Sequence, residues 1–282
     1  MKKIIRSYFE WSKLSLKTSL NTGSLPDFYI IGAQKSGTSS LYDCLCHHPG
    51  IIHRLQKEIH FFDNPTNRQR GLAFYQAHFS SLSYREQLSR KLGYSPLEGE
   101  ATPFMVHPWI PKWVFQVTPK AKLIMIVRNP IDRALSHYYH NKRRNREVLS
   151  FEDAVGLEEQ RINQDWDHLL KDPSYPAQNF LSFSYKKRGL YFEQLERWLQ
   201  YFPKEQIHIV SFDHFIQDQA KVASQIFKFL ELPNFELVSI AKTNTGRYNH
   251  ALSQDVKQCL TAYFSPHNQR FFEAIKEDDQ WF

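Results

Sequence analysis

Cysteine is scarce in this 282-residue sequence: Cys44, Cys46 and Cys259 are the only three. Their number is odd, and Cys44 and Cys46 lie too close together to bridge within a helix, so a disulfide framework is excluded. All three read as reduced core residues without a metal-ligating partner set. Long apolar runs are missing too. The N-terminal stretch MKKIIRSYFEWSKLSLKTSL is basic and broken by charge, which excludes a signal peptide or a membrane span there. The expectation is a cytoplasmic protein without stable membrane insertion, residues 1–25 forming a frayed or packed arm. The alternative for the arm is an amphipathic helix lying weakly on an anionic membrane. Zinc-finger spacing, a basic zipper and an RNA-recognition signature are all lacking. The net charge of +7 and the pI near 9.2 therefore suit an anionic ligand without pointing to nucleic acid. Internal repeats and low-complexity tracts are absent as well.

What is present is a chain long enough to bury a large core, with 41% hydrophobic and 15% aromatic residues. Residues 26–282 read as one domain organised around Asp27 to Pro49, DFYIIGAQKSGTSSLYDCLCHHP. Phe28 to Ile31 form an apolar run between Pro26 and Gly32, the signature of a short buried strand. A loop with two glycines and Lys35 follows, and Thr38, Ser39 and Ser40 open a helix that Pro49 and Gly50 close. Strand, glycine loop and helix start make an anion cradle: glycines let the backbone approach a phosphate, and the free N–H groups of the helix start face it. The loop is not a Walker A motif, which needs Lys directly after its second glycine. Here Thr38 follows Gly37 and the lysine lies inside the loop, so a phosphate ligand is expected and an ATP–magnesium ligand is not.

Farther along, RLQKEIHFFD carries Glu58, His60 and Asp63. Read as a strand, it puts Glu58, His60 and Phe62 on one face, a carboxylate and an imidazole beside an aromatic wall. A surface glutamate near a loop is the plainer alternative. Arg70 to Phe79 has the pattern of a short helix, residues 80–95 are polar surface, and EGEATPFMVHP is briefly extended. Trp109 to Val117 is helical, and Leu123 to Val127 is apolar throughout, as in a central parallel strand. That strand ends in Arg128, and Pro130 starts a helix at its favoured first position. A magnesium-dependent phosphoryl-transfer enzyme often carries Asp at such a strand end. A guanidinium there holds an anion directly, and Ser136, about two turns into the helix, can reach the same anion. The basic run Asn141 to Arg146 is a solvated helix end or part of a rim facing an acidic acceptor. Ser150 caps a helix to Gln164, and Asp165 to Asn179 reads as a long lid-like loop. Gly189 to Phe202 is a helix with Leu190, Leu195, Trp198 and Leu199 inward. Ile207 to Val210 is a strand, Val222 to Leu230 a helix, KTNTGRYNH (242–250) a second phosphate-suited loop, and Ser253 to about Ile275 a last helix. Alternating elements of this kind build a parallel α/β sheet with ligands at the carboxyl ends of the strands.

With these motifs in hand, the chain resembles the sulfotransferases that use 3′-phosphoadenosine 5′-phosphosulfate (PAPS), within them the heparan sulfate type and its bacterial relatives. GAQKSGTSSL resembles the family's 5′-phosphosulfate loop and IVRNPIDRALSHYY its 3′-phosphate motif. KEIHFFD, GEATP, RGLYFEQLERWLQYFP and TGRY followed by SPHNQRFFE recur there in the same order. The resemblance runs from about Pro26 to the C-terminus and implies a P-loop-like three-layer α/β fold with a central parallel sheet. It implies PAPS as sulfonate donor, PAP as product and no metal. By position, Lys35, Ser36, Gly37, Thr38, Ser39 and Ser40 would hold the 5′-phosphosulfate, Arg128 and Ser136 the 3′-phosphate, and Gly246 and Arg247 would close over the nucleotide. Glu58 would be the general base, with His60 and Asp63 beside it in the acceptor site and Lys35 stabilising the leaving group. Ala101 stands where several heparan sulfate enzymes have Lys, and Ser39 and Asp43 where a glycosaminoglycan-binding member has Arg and Glu. The acceptor thus stays open between a carbohydrate hydroxyl and a small natural product attacked through O–H or N–H. For a cationic acceptor, Glu58, Asp63 and Glu100 would form an acidic pocket. A P-loop kinase and a non-catalytic nucleotide- or polyanion-binding module remain the rival readings.

Overall fold

Strands that are apolar on both faces need cover on both sides, and two such segments, joined by two further strands, form the centre of the molecule. The computed structural model describes residues 12, 14–53, 56–237, 252–277 and 281. Its sheet contains β1 (Phe28–Gly32), β2 (Gly99–Glu100), β3 (Lys122–Val127) and β4 (Ile207–Ser211) in the order β2-β1-β3-β4. Every pairing is parallel, with Tyr29 opposite Leu123 and Ile126 opposite Val210. All of β1 is buried, and so is β3 after its first residue.

Alternation along the strands sends side chains into two separate cores. Tyr29, Ile31, Leu123, Met125 and Val127 join Phe104, Val114, Leu195, Trp198, Phe271 and Phe272 on one side. Phe28, Ile30, Ile124, Ile126 and Val210 join Leu41, Leu45, Val222 and Ile226 on the other. Helices on both faces of the sheet complete three layers. In chain order they begin with α1 (Thr38–Leu45), α2 (Pro65–Gln69), α3 (Gly71–Ala77), α4 (Leu82–Leu92), α5 (Ile110–Val117) and α6 (Pro130–Arg143). They continue with α7 (Phe151–Gly156), α8 (Glu158–Lys171), α9 (Gln178–Phe183), α10 (Tyr191–Leu199), α11 (Phe212–Gln217), α12 (Gln219–Phe229) and α13 (Gln254–Ile275).

Several expectations change at this level. Residues 58–63 are not a strand: Ile59, Phe61 and Phe62 are all buried, and His60 turns the chain with φ 54°. Their backbone is satisfied locally, because the Asn67 amide donates to the carbonyls of Ile59 and His60 and Asn64 caps α2. The expected loop over 165–179 is mostly helix, with 172–177 as the only connection between α8 and α9. Buried Asp165 explains this, since it accepts from the Asn179 and Phe180 N–H groups at 2.6 and 3.1 Å and so caps α9 across the turn. Residues 80–95 do lie at the surface, but as α4, in which no residue is buried. Leu199 is exposed, unlike Leu195 and Trp198, and Cys259 is exposed rather than part of the core. In the N-terminal arm, residues 14–20 are helical, Leu14 packs against the core edge, and Lys17 Nζ donates to the Phe79 carbonyl at 2.6 Å. Among the described residues no helix is long and apolar enough to cross a membrane.

Candidate functional site

The carboxyl ends of β1 and β3 open onto a cleft of about 1280 Å³. After β1 the backbone folds back on the sheet, the Ala33 N–H donating to Ile126 O, and turns through two left-handed residues, Lys35 (φ 70°) and Gly37 (φ 90°). A side chain at Gly37 would be strained by that φ, and its Cβ would fall 2.9 Å from the Phe212 ring. Only glycine lets the loop pass there. Among the described residues no side chain caps α1, so its first-turn N–H groups are left to the cleft mouth, where Thr38, Ser39 and Ser40 line the wall. Ser36 is the exception in this loop: it is fully buried beside Tyr191 and is not part of the cleft wall.

Lys35 also lines the cleft, with Nζ 3.5 Å from His140 Nδ1. Burial, followed by the Lys35 charge, pushes the His140 imidazole down to about 4. His140 is therefore neutral at physiological pH and presents a lone pair that holds the ammonium in place.

Arg128 follows the last residue of β3. Its guanidinium lies 4.8 Å over the Phe212 ring, and its carbonyl accepts from the Tyr191 hydroxyl at 2.8 Å. The Asn129 side chain caps α6 by accepting from Ile131 and Asp132 N–H, and Pro130 occupies the first turn. This start aims buried Ser136 into the same cleft as Arg128 and Lys35. Two basic motifs far apart in sequence thus share one cavity.

The turn over residues 58–63 forms another part of the wall. His60 Nδ1 lies 2.8 Å from Asp63 Oδ2, and its Nε2 lies 3.3 Å from Glu58 Oε2. The hydrogen bond to Asp63 first, and then the one to Glu58, raise His60 to about 10. The ring is accordingly an imidazolium that donates from both nitrogens and fixes the two carboxylates. Lys57 pairs with Asp43 of α1, tying the start of this turn to the glycine-loop helix.

Glu100 stands apart from this group. It is 1% exposed, accepts from Tyr75 and Thr102 hydroxyls, and is not in the cleft wall. The expected acidic pocket of Glu58, Asp63 and Glu100 does not form, because β2 turns Glu100 into a buried hydroxyl cage. Gly246, Arg247 and the rest of the 242–250 loop lie outside the described residues.

The cleft also holds residues that pattern reading passed over. His140 is one turn beyond Ser136 on α6, an i,i+4 spacing that places both on one helix face and could have flagged it. Arg143, Arg144 and Arg146 line the wall too, joining the basic run to the cavity. Phe212 comes from a segment that no motif marks, whereas His107 and Arg188 lie in EGEATPFMVHP and RGLYFEQLERWLQYFP, stretches given no site role from the sequence. Among the described residues, lysine and arginine contribute six lining residues (Lys35, Arg128, Arg143, Arg144, Arg146, Arg188), against two carboxylates, Glu58 and Asp63. Such an imbalance focuses a positive field on the cavity and favours a polyanion.

Comparison with known proteins gives a consistent picture. Residues 25–259 match the family described as the sulfotransferase domain. The membrane-associated sulfotransferase kil1 of Dictyostelium discoideum is 27% identical, over 91% of this chain and 66% of that protein. The chain therefore spans about two thirds of that relative's length. Human heparan sulfate glucosamine 3-O-sulfotransferase 5 is also 27% identical, over 91% of this chain and 74% of the relative. A solved sulfotransferase from Alicyclobacillus acidocaldarius is 30% identical with a TM-score of 0.65, over 90% of this chain and 97% of the other.

Proposed function

The chain belongs to the sulfotransferase domain family, and from that premise we propose that it moves the sulfonate of PAPS to a hydroxyl or N–H of a carbohydrate or small natural-product acceptor. The observation that carries this reading is the single cleft onto which Lys35, Arg128 and Glu58 all open. A donor with phosphate at both ends of an adenosine needs two cationic sites at a distance, and the cleft supplies them on adjacent parallel strands.

In this reading Arg128 and Ser136 hold the 3′-phosphate. The 5′-phosphosulfate rests on the first-turn N–H groups of α1 and the hydroxyls of Thr38, Ser39 and Ser40. Glu58, oriented by the His60 imidazolium, takes the proton of the acceptor O–H or N–H as that atom bonds to sulfur. General base catalysis of this kind contributes about 10²–10⁴ in rate. The bond from sulfur to the bridging oxygen breaks in line, and Lys35, steadied by His140, donates to the oxygen on which negative charge collects. Fixed geometry at both phosphate ends supplies much of the remaining acceleration.

The test is incubation with PAPS and a panel of sugars and small metabolites, scored by mass for added sulfonate, beside calorimetric binding of PAP. The expected result is PAP binding and at least one sulfonated product that Glu58→Gln no longer forms. PAP that does not bind would overturn the donor assignment. Binding without any product from the panel would favour a binding module.

A further inference from the structure

Arg188 is unusual among the charged residues of the cleft. It is 5% exposed, it lines the cavity, and among the described residues it forms no ion pair. Its hydrogen-bond partners among the described residues are neutral: Nε donates to Ser184 Oγ at 3.0 Å and Nη2 to the Leu181 carbonyl at 3.2 Å. Such bonds satisfy donors but leave the charge uncompensated, and a buried charge is costly unless an anion balances it.

The carboxylates whose charge reaches Arg188 are Asp63 and Glu158. Neither forms an ion pair with Arg188 among the described residues, although Asp63 Oδ1 is buried without a hydrogen-bond partner of its own. Asp63 pairs with His60, and Glu158 accepts from the Lys186 and Lys187 N–H groups at 2.5 and 2.8 Å. The surroundings add positive charge instead: buried Arg133 acts on Arg188, and His107, which also lines the cleft, feels Arg68, Arg188 and Arg197 against Asp63 alone. His137, 2% exposed and lining the same cavity, has a ring nitrogen with no hydrogen-bond partner. Burial first and then Arg133 hold the Arg188 guanidinium down to about 9, in keeping with a cation that lacks its counter-charge.

We propose that Arg188 is a specificity-determining residue that seats an anionic group of the acceptor, a carboxylate or a sulfate ester, beside the atom that receives the sulfonate. The inference rests on the sulfonate-transfer reading above, because it takes the wall beside Asp63 and His60 as the acceptor side. The guanidinium offers a planar fork that matches either anion in two parallel hydrogen bonds. Neutral acceptors would leave that fork unmatched, so the site selects acidic ones.

The test is calorimetric titration of the PAP-loaded protein with matched pairs. One pair is p-nitrophenyl β-glucuronide against p-nitrophenyl β-glucoside, and the other is N-sulfoglucosamine against N-acetylglucosamine. The acidic member of at least one pair should bind the wild type about tenfold tighter or more, the scale of one charged hydrogen-bonding contact. Which pair responds distinguishes carboxylate from sulfate. In Arg188→Met the acid-over-neutral ratio should fall toward one, and in Arg188→Lys it should fall partway. Equal binding of both members by the wild type, or a ratio kept in folded Arg188→Met, overturns the proposal. Should Arg188→Met not fold, Arg188→Lys decides, and an unchanged ratio there overturns it equally. PAP binding in the same cell keeps the two readings apart. No PAP binding defeats the donor assignment, whereas PAP binding without acid preference defeats this inference alone.

Discussion

At the end of the cleft proposed for the donor, Lys35 and Arg128 lie beyond the carboxyl ends of neighbouring parallel strands. At the end proposed for the acceptor, Glu58, His60 and Asp63 ride on an irregular turn, and Arg188 comes from a segment near α10. The first end is aimed by backbone pairing, so side chains there inherit the precision of the sheet. The second is held by side chains: Asn67 pins the turn's carbonyls, Lys57 pins Asp43, and His60 bridges two carboxylates. Within one fold, one half of a reaction can be placed by the sheet while the other is placed by contacts that substitution readily changes.

If that division is right, variants at the two ends should separate in what they disturb. The largest effect belongs to the acceptor end, where Glu58→Gln should lower kcat by about 10²–10⁴ with PAP affinity unchanged. Steady-state rates beside PAP titrations check this, and a matching loss of PAP affinity would break the separation. Next is Lys35→Ala, expected to lower kcat by about 10²–10³, the usual cost of losing one donor to a developing oxyanion. Arg128→Ala should weaken PAP binding by about 10–100-fold, following from the roughly 1.5–3 kcal/mol of a charged hydrogen bond, measured by calorimetry.

Smaller effects concern the scaffold. Gly37→Ala should cost about 1–2 kcal/mol for the left-handed backbone, with the Phe212 contact at 2.9 Å adding to it. Chemical denaturation should show a reduced penalty in a Phe212→Ala background, which removes the contact but not the strain. The smallest prediction is a pH dependence. His60 is raised to about 10 in the folded state, so its bonds to Asp63 and Glu58 stabilise the protein fully below the unfolded value of 6.5. That contribution should fade as pH rises from about 6.5 through about 10. The difference in thermal midpoint between the wild type and His60→Gln should shrink over the same range.

The same contrast explains what could be read from the residues alone. The runs Phe28 to Ile31 and Leu123 to Val127 announced a doubly covered parallel sheet, because burial on both faces leaves an unbroken apolar signature. The glycine loop and the Arg128–Pro130 corner were legible since each follows directly from a strand end. Of the two readings of residues 58–63, the strand fails and the glutamate on a loop holds. The segment's apolar residues alternate in type, but Asn67, a side chain on the following helix, satisfies the backbone that a neighbouring strand would otherwise have paired. Glu100 was misplaced for a related reason: GEATP does not reveal that Tyr75, in α3, would close over it. Asp165 capping α9 from the preceding helix turned an expected lid into a short connection. Arg188 and His107 lie in quoted stretches, RGLYFEQLERWLQYFP and EGEATPFMVHP, but nothing local in either gives them a site role, since their place in the cleft depends on tertiary packing.

The most direct test of the account compares PAP with AMP, which lacks the 3′-phosphate, in the wild type, Arg128→Ala and Lys35→Ala. PAP should bind the wild type more tightly than AMP. That advantage should vanish in Arg128→Ala and persist in Lys35→Ala, as expected if the two residues grip opposite ends of one nucleotide. An Arg128→Ala change that weakens PAP and AMP equally, or a Lys35→Ala change that abolishes the difference, would contradict it.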